Sequence, residues 1–186
     1  MNKYEDRYDA GKYLAEALHA YRNKKDVVVL ALPRGGVPVA FEVAKALSAP
    51  LDLFVVRKLG VPGHSELAMG AISSGSKVLN LGIINDLNID QDEIDAVIAL
   101  ETQELHRREA AYRGNAPAPV LKGKTVILVD DGIATGATLK AAIQAINAQQ
   151  PTKLIAAVPV ADTAIKPSIQ LLVDEFICPK IGRAHV

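Results

Sequence analysis

The sequence predicts an α/β fold, a central parallel sheet flanked by helices. Three observations carry that reading. Unbroken runs of β-branched and aliphatic residues recur at 27–32, 126–129 and 154–158, as suits strands buried on both faces of a parallel sheet. Each run is followed by turn residues and then by apolar residues at helical spacing, and strands alternating with helices argue for parallel pairing. The chain has 186 residues, 49% apolar and 23% charged, enough for one globular domain with a sizeable core, read here as 1–180.

Taken in order, residues 9–23 place Tyr13, Leu14, Ala17, Leu18 and Tyr21 on one helical face, a packing helix at the domain edge. The strand at 27–32 ends in Pro33-Arg34-Gly35-Gly36. A helix follows with Pro38 in its first turn, where the missing N–H does no harm. A further strand is expected at 51–56, ending in Arg57-Lys58, and the Gly-, Pro- and Ser-rich stretch after it reads as a mobile loop leading to a short strand near 67–72. Residues 77–87 are expected to add short strands outside the core, with Asn80 and Asn85 in turns. Residues 90–113 form a long helix with Ile94, Val97, Ile98 and Leu105 as its apolar stripe, and Glu104–Arg108 and Glu109–Arg113 are spaced as i,i+4 ion pairs. Residues 114–119 are a linker within the domain. After the strand at 154–158, a short helix at 163–171 leads to a last strand at 174–178.

The most informative stretch is KTVILVDDGIATGATLK, residues 124–140. A buried strand ends in Asp130 and Asp131. Gly132, Ile133, Ala134, Thr135, Gly136, Ala137 and Thr138 form a small-residue loop, and Leu139, Ile143 and Ile146 show a helix starting near Thr138. A helix N-terminus offers free N–H groups and a partial positive charge, so it attracts phosphate. Glycines let the backbone close around the anion, and the threonines add hydroxyl donors. The carboxylates suit sugar hydroxyls or the outer shell of a magnesium ion. An anion cradle beside an acidic pair describes a sugar-phosphate site. Arg34, Gly35 and Gly36 form a second candidate anion loop. Arg34, Arg57 and Asp130 are all expected at the carboxyl ends of strands, where ligands of such sheets gather. Competing motifs fail: no G-x-G-x-x-G occurs, and Gly123-Lys124-Thr125 lacks the earlier glycine of a Walker loop and precedes its strand.

VILVDDGIATGAT resembles the phosphoribosyl-pyrophosphate (PRPP) motif of type I phosphoribosyltransferases. The likeness extends over RYDAGKYLAEAL, LALPRGGVPVAFEVAKAL and RKLGVPGHSELAMGAI, which are similar to a bacterial branch of that family. The resemblance implies a Rossmann-like sheet with a small hood, and displacement of pyrophosphate from PRPP by a nitrogen nucleophile, a nucleobase or an amine. It implies that the 132–138 loop holds the 5′-phosphate and that Asp130 and Asp131 hold the ribose hydroxyls. Arg34, Gly35 and Gly36, in a loop that often carries a cis non-proline peptide in the family, would take the pyrophosphate, with charge from Arg57 and Lys58. Mg²⁺ would be bound through PRPP, not by a dedicated protein site, and a homodimer is implied. His64 and Glu66 are read either as groups acting on the base or its proton, or as a solvated loop histidine and an N-capping glutamate.

Other classes are disfavoured. Net charge is zero, so no nucleic-acid partner is expected. The single cysteine, Cys178, permits no intramolecular disulfide and reads as a core filler in a reducing cytoplasm. The N-terminus is unlike a signal peptide, and no apolar run approaches the ~20 residues of a membrane span. A phosphoryl transferase would want a nucleophile or a Walker lysine at the loop. A PRPP-binding regulator without catalysis remains the alternative reading. Residues 181–186 continue no pattern and match what the start of a common sequencing adapter encodes (ATC GGA AGA GCA CAC GTC), so this tail is expected not to be native.

Overall fold

The structure, a computed structural model, describes residues 4–181. In chain order its elements are α1 (Arg7–Ala17), β1 (Val27–Ala31), α2 (Gly36–Leu47), β2 (Leu51–Leu53), β3 (Val56–Val61), β4 (His64–Ser73), β5 (Ser76–Leu79), α3 (Leu81–Asp86), α4 (Gln91–Arg113), β6 (Thr125–Val129), α5 (Ala137–Asn147), β7 (Lys153–Ala157), β8 (Val160–Ala161), α6 (Lys166–Gln170), β9 (Glu175–Ile177) and β10 (Lys180–Ile181).

Five strands form the central sheet in the order β2-β1-β6-β7-β9, every pairing parallel. All five residues of β1 and of β6 are buried, which is why both read as continuous apolar runs. Successive side chains alternate between two cores. Val27, Val29, Ile127 and Val129 pack under α1 and α2, whereas Val28, Leu30, Val126 and Leu128 pack under α5 and α6. Cys178 is half-buried against the second of these cores, and burial pushes its thiol pKa up. Helix α1 lies so close to α2 that a Cβ on Gly11 would meet the Val39 carbonyl oxygen at 2.8 Å.

The middle of the chain departs from expectation. The predicted strand at 51–56 divides: Leu51–Leu53 completes the parallel sheet, and Val56 opens a separate three-stranded antiparallel sheet, β3-β4-β5. The expected mobile loop is therefore a β-hairpin, turning at Pro62-Gly63 with Gly63 at φ +77°. Its alternation is hard to read because register shifts flank Gly60, as glycine bulges produce. A Cβ on Gly70 would meet the Val78 carbonyl oxygen at 2.1 Å, so that glycine serves close strand contact.

Residues 77–87 also differ: only β5 is a strand, and α3 follows with the Asn80 side chain accepting the Ile83 N–H at 3.2 Å. A third core of Leu59, Met69, Ile72, Ile94 and Leu105 joins this sheet to α4. The Glu104–Arg108 pair forms at 2.8 Å. The Glu109–Arg113 pair does not. Arg113 is buried and pairs with Asp52 at 2.8 Å, while Glu109 accepts from Ser74. Local spacing allowed the pair, and tertiary partners displaced it. Ile181 pairs with Ala161 across β10 and β8; the rest of the suspected tail lies outside the described residues.

Candidate functional site

The central sheet reverses direction of growth between β1 and β6. From β1 the chain crosses to β2 on one side, and later resumes at β6 on the other. The loops that leave these two adjacent strand ends diverge over a crevice, the position where such sheets bind ligands. Leu32 N–H donates to Val129 O at 3.0 Å, extending the pairing to the crevice floor.

The loop after β1 is a tight turn. The Pro33–Arg34 peptide is cis, and Gly36 N–H returns to Leu32 O at 3.0 Å. A Cβ on Gly35 would stand 2.3 Å from Asp131 Oδ2, and one on Gly36 would stand 2.7 Å from Val129 O. The two glycines thus let this backbone lie directly against the acidic pair. Arg34 Nε donates to the Tyr112 hydroxyl at 3.3 Å, which places the guanidinium between this loop and α4.

At the end of β6 the chain leaves strand geometry and Asp131 N–H donates to Asp130 Oδ1 at 2.8 Å. The two acids line neighbouring cavities that share Gly132, Ile133 and Ala134: Asp130 one of about 130 Å³ and Asp131 one of about 480 Å³. Burial, reinforced by the neighbouring Asp131 charge, pushes the Asp130 carboxyl up to about 7. Asp131 is met by Arg7 of α1, whose Nε and Nη2 both reach Oδ2 at 2.9 Å.

The phosphate-type loop follows. Ile133 is its anchor: the side chain is buried, and its backbone N–H and C=O are both taken, by Val160 O at 3.2 Å and by Asp162 N–H at 3.4 Å. Its amide is therefore not available to an anion, unlike the expectation for the whole 132–138 run. Gly136 sits at φ +76°, and a Cβ there would press on Ile165 at 3.1 Å. Helix α5 begins at Ala137, and its first backbone hydrogen bond joins Lys140 N–H to Gly136 O at 2.8 Å. The amides of the first turn have no intrahelical acceptor and border a cavity of about 130 Å³ lined by Asp130, Gly132, Ala134, Thr135 and Thr138.

Arg57 and Lys58 are not at the end of a core strand, as expected, but within β3 of the antiparallel sheet. With Glu101, Arg108 and Thr138 they line a separate cavity of about 320 Å³, which meets the loop cavity at Thr138. Arg57 Nε is paired with Glu101 at 2.6 Å, and Lys58 donates to Ser65 O at 2.9 Å. Glu101→Gln removes the opposing charge from the guanidinium; on the expectation that Arg57 lends charge to pyrophosphate, its affinity measured by calorimetry should tighten by about two- to fivefold, the scale of one partly exposed ion pair. His64 and Glu66 are exposed, 3.8 Å apart at the far end of the hairpin. Sequence reasoning missed Arg7, Glu101 and Tyr112, all helix residues; Arg7 opens the RYDAGKYLAEAL stretch but was given no role there. The one available signal was a cation in the first turn of α1, against the helix dipole.

Among the described residues, no group of three or more His, Cys, Asp or Glu gathers to hold a metal, and no helix is long and apolar enough to cross a membrane.

Comparisons with known proteins agree with this geometry. Two Mycobacterium tuberculosis proteins, from strains CDC 1551 / Oshkosh and H37Rv and provisionally named phosphoribosyl transferases, are 48% identical over 179 residues. That is 96% of this chain, which spans 40% of the length of those curated relatives. A crystal structure of a Thermus thermophilus protein superposes with a TM-score of 0.89 at 36% identity, covering 100% of this chain and 88% of that one. The purine phosphoribosyltransferase of Pyrococcus horikoshii shares the fold at a TM-score of 0.51 and 19% identity, over 97% of this chain and 91% of its own. The model of the phosphoribosyl transferase domain matches residues 2–174. With its crevice at the β1/β6 reversal, its acidic pair and its helix-capped loop, the chain belongs to the phosphoribosyl transferase domain family.

Proposed function

We propose that this domain transfers ribose 5-phosphate from PRPP to a nitrogen nucleophile, a nucleobase or an amine, releasing pyrophosphate. The observation that carries the reading is the contact of the Arg34-Gly35-Gly36 turn with Asp130 and Asp131, beside the first turn of α5, where the Ala137 N–H has only a long bond of 3.5 Å to Thr135 Oγ1.

The chemistry needs positioning more than covalent help. The bond from the anomeric carbon to the pyrophosphate oxygen breaks as the bond to nitrogen forms, the ribose gains oxocarbenium character, and the nucleophile gives up its proton. The protein must hold the sugar, neutralise the leaving anion and exclude water. In this reading Thr135, Gly136, Ala137 and Thr138 grip the 5′-phosphate, with Gly132 and Ala134 closing the loop. Asp130 and Asp131 accept from the ribose hydroxyls. Arg34 and the Gly35 and Gly36 amides take the pyrophosphate, and Arg57 and Lys58 add positive charge from the adjoining cavity.

Mg²⁺ would draw most of its oxygens from PRPP and water, with the Asp130 and Asp131 carboxylates suited to its outer shell. When bound, the ion supplies charge neutralisation on the pyrophosphate. The acceptor is assigned to the cavity of about 480 Å³ beside Asp131, walled by Tyr4, Arg7, Pro159 and Val160. The same reading has the domain serving nucleotide salvage in the cytoplasm as a homodimer.

Titration with magnesium-loaded PRPP should show saturable heat. Incubation with PRPP, Mg²⁺ and a panel of nucleobases and small amines should release pyrophosphate and yield a ribosylated product by mass spectrometry. No heat from a folded sample removes the reading. Binding without turnover across the panel favours a PRPP-binding regulator instead.

A further inference from the structure

Arg7 stands in the first turn of α1, where the positive end of the helix disfavours a cation. The cap of that helix is made by Asp6, which accepts the Asp9 N–H at 2.8 Å, so Arg7 has no part in it. Its guanidinium instead crosses to the end of β6, where Nε donates to Asp131 Oδ2 at 2.9 Å and Nη2 lies within ion-pair distance of the same oxygen, also at 2.9 Å.

The mount is firm. Gly11 lies one turn further along the same face of α1 and touches the α2 backbone at Val39, and Leu14 and Leu18 beyond it are fully buried. The contact itself is open: the two side chains are 60% and 32% exposed. A pair so exposed adds little to folding. An arrangement unfavourable to its own helix, of little use to the fold, and ending on an acid beside the crevice points to the site. The guanidinium also forms part of the wall of the cavity of about 480 Å³ next to Asp131.

We propose that Arg7 is a positioning residue for the sugar: it holds the Asp131 carboxylate through Oδ2 and presents Oδ1 to a ribose hydroxyl. This rests on the phosphoribosyl reading above. The N-terminal helix is then a working wall of the ribose subsite as well as a packing element. Because Arg7 acts through Asp131, its loss is felt by ligands that carry the sugar and not by those that carry only the leaving group.

The test is calorimetry of the full chain with three probes: ribose 5-phosphate, magnesium-loaded PRPP and inorganic pyrophosphate with Mg²⁺. Arg7→Ala should weaken both sugar phosphates roughly tenfold and leave pyrophosphate within about twofold. Arg7→Lys, which keeps the charge and loses the fork, should recover part of the loss. In an Asp131→Asn background, Arg7→Ala should have little further effect, because the two act as one unit. The melting temperature should move by no more than about 2 °C. An equal loss for pyrophosphate, an undiminished loss in the Asp131→Asn background, or unchanged sugar-phosphate binding overturns the assignment of Arg7 alone. If the unaltered domain binds neither sugar phosphate, the phosphoribosyl reading falls and this assignment falls with it.

Discussion

Asp130→Asn should weaken binding of magnesium-loaded PRPP by about ten- to a hundredfold, and should also raise the melting temperature of the free domain at pH 8. The two effects have one cause. In the proposed reading the Asp130 carboxylate accepts charge-assisted hydrogen bonds from the ribose, and losing one costs roughly 1.5–3 kcal/mol. The same carboxyl is held where burial and Asp131 push its pKa up to about 7. A raised acid is easier to keep neutral in the folded state than to ionise. The penalty is absent below the unfolded value near 4, grows as pH rises through the interval, and is complete above about 7. Three pH units set an upper bound near 4 kcal/mol. Asp130 is not fully removed from solvent, so about 1–2 kcal/mol is expected, or roughly 3–6 °C for a chain of this size. Asparagine can still accept the Asp131 N–H that Asp130 Oδ1 accepts at 2.8 Å, so the local turn survives. Thermal melts of both proteins from pH 4 to 8 check this: the curves should meet at the acid end and separate toward pH 8. A constant offset would assign the effect to packing instead of charge. PRPP affinity of the unaltered domain should rise with pH through about 7, and that of Asp130→Asn should not.

Gly36→Ala carries the second large effect and is best measured beside Gly35→Ala. A methyl on Gly36 meets main chain, with Val129 O at 2.7 Å and Asp130 Cα at 3.1 Å. Neither atom can rotate away, so the β1 and β6 loops must part. Overpacking of this kind costs about 1–3 kcal/mol, and in the proposed reading the separated loops would lose their joint hold on the pyrophosphate and ribose. A methyl on Gly35 meets the Asp131 carboxylate at 2.3 Å, the far end of a side chain. That group can swing aside, so Gly35→Ala should stay within about 1 kcal/mol of the unaltered domain in urea unfolding. The moved carboxylate should nonetheless weaken ribose 5-phosphate by about tenfold. Equal stability losses in the two variants would contradict the close approach of the Gly36 backbone to β6.

The parallel sheet and the phosphate-type loop were legible because their causes are local. A strand buried on both faces must be apolar throughout, so β1, β6 and β7 announce themselves. The loop from Asp130 to Thr138 carries its chemistry in consecutive residues, and the start of α5 at Ala137 lies one position from where spacing put it. The antiparallel sheet was not legible. β3 and β4 are irregular at Gly60, and their apolar residues find partners on α4, more than twenty residues away along the chain. What spacing makes of Arg57 and Lys58 is a strand end; what packing makes of them is the wall of a cavity shared with Thr138. Glu109 and Arg113 show the same limit from the other side, since a permitted helical pair yields when buried partners from distant elements compete.

Composition, periodicity and one motif therefore settled the fold class, the core strands β1, β6 and β7 and the order of the candidate anion loops; the reversal between β1 and β6 came only from the strand order. Only the folded chain could bring Arg7 across 124 residues to Asp131, seat Glu101 on Arg57 and raise the Asp130 carboxyl. Charge pairing and desolvation depend on distances in space, and those are set by how helices pack on the sheet, not by neighbours along the chain.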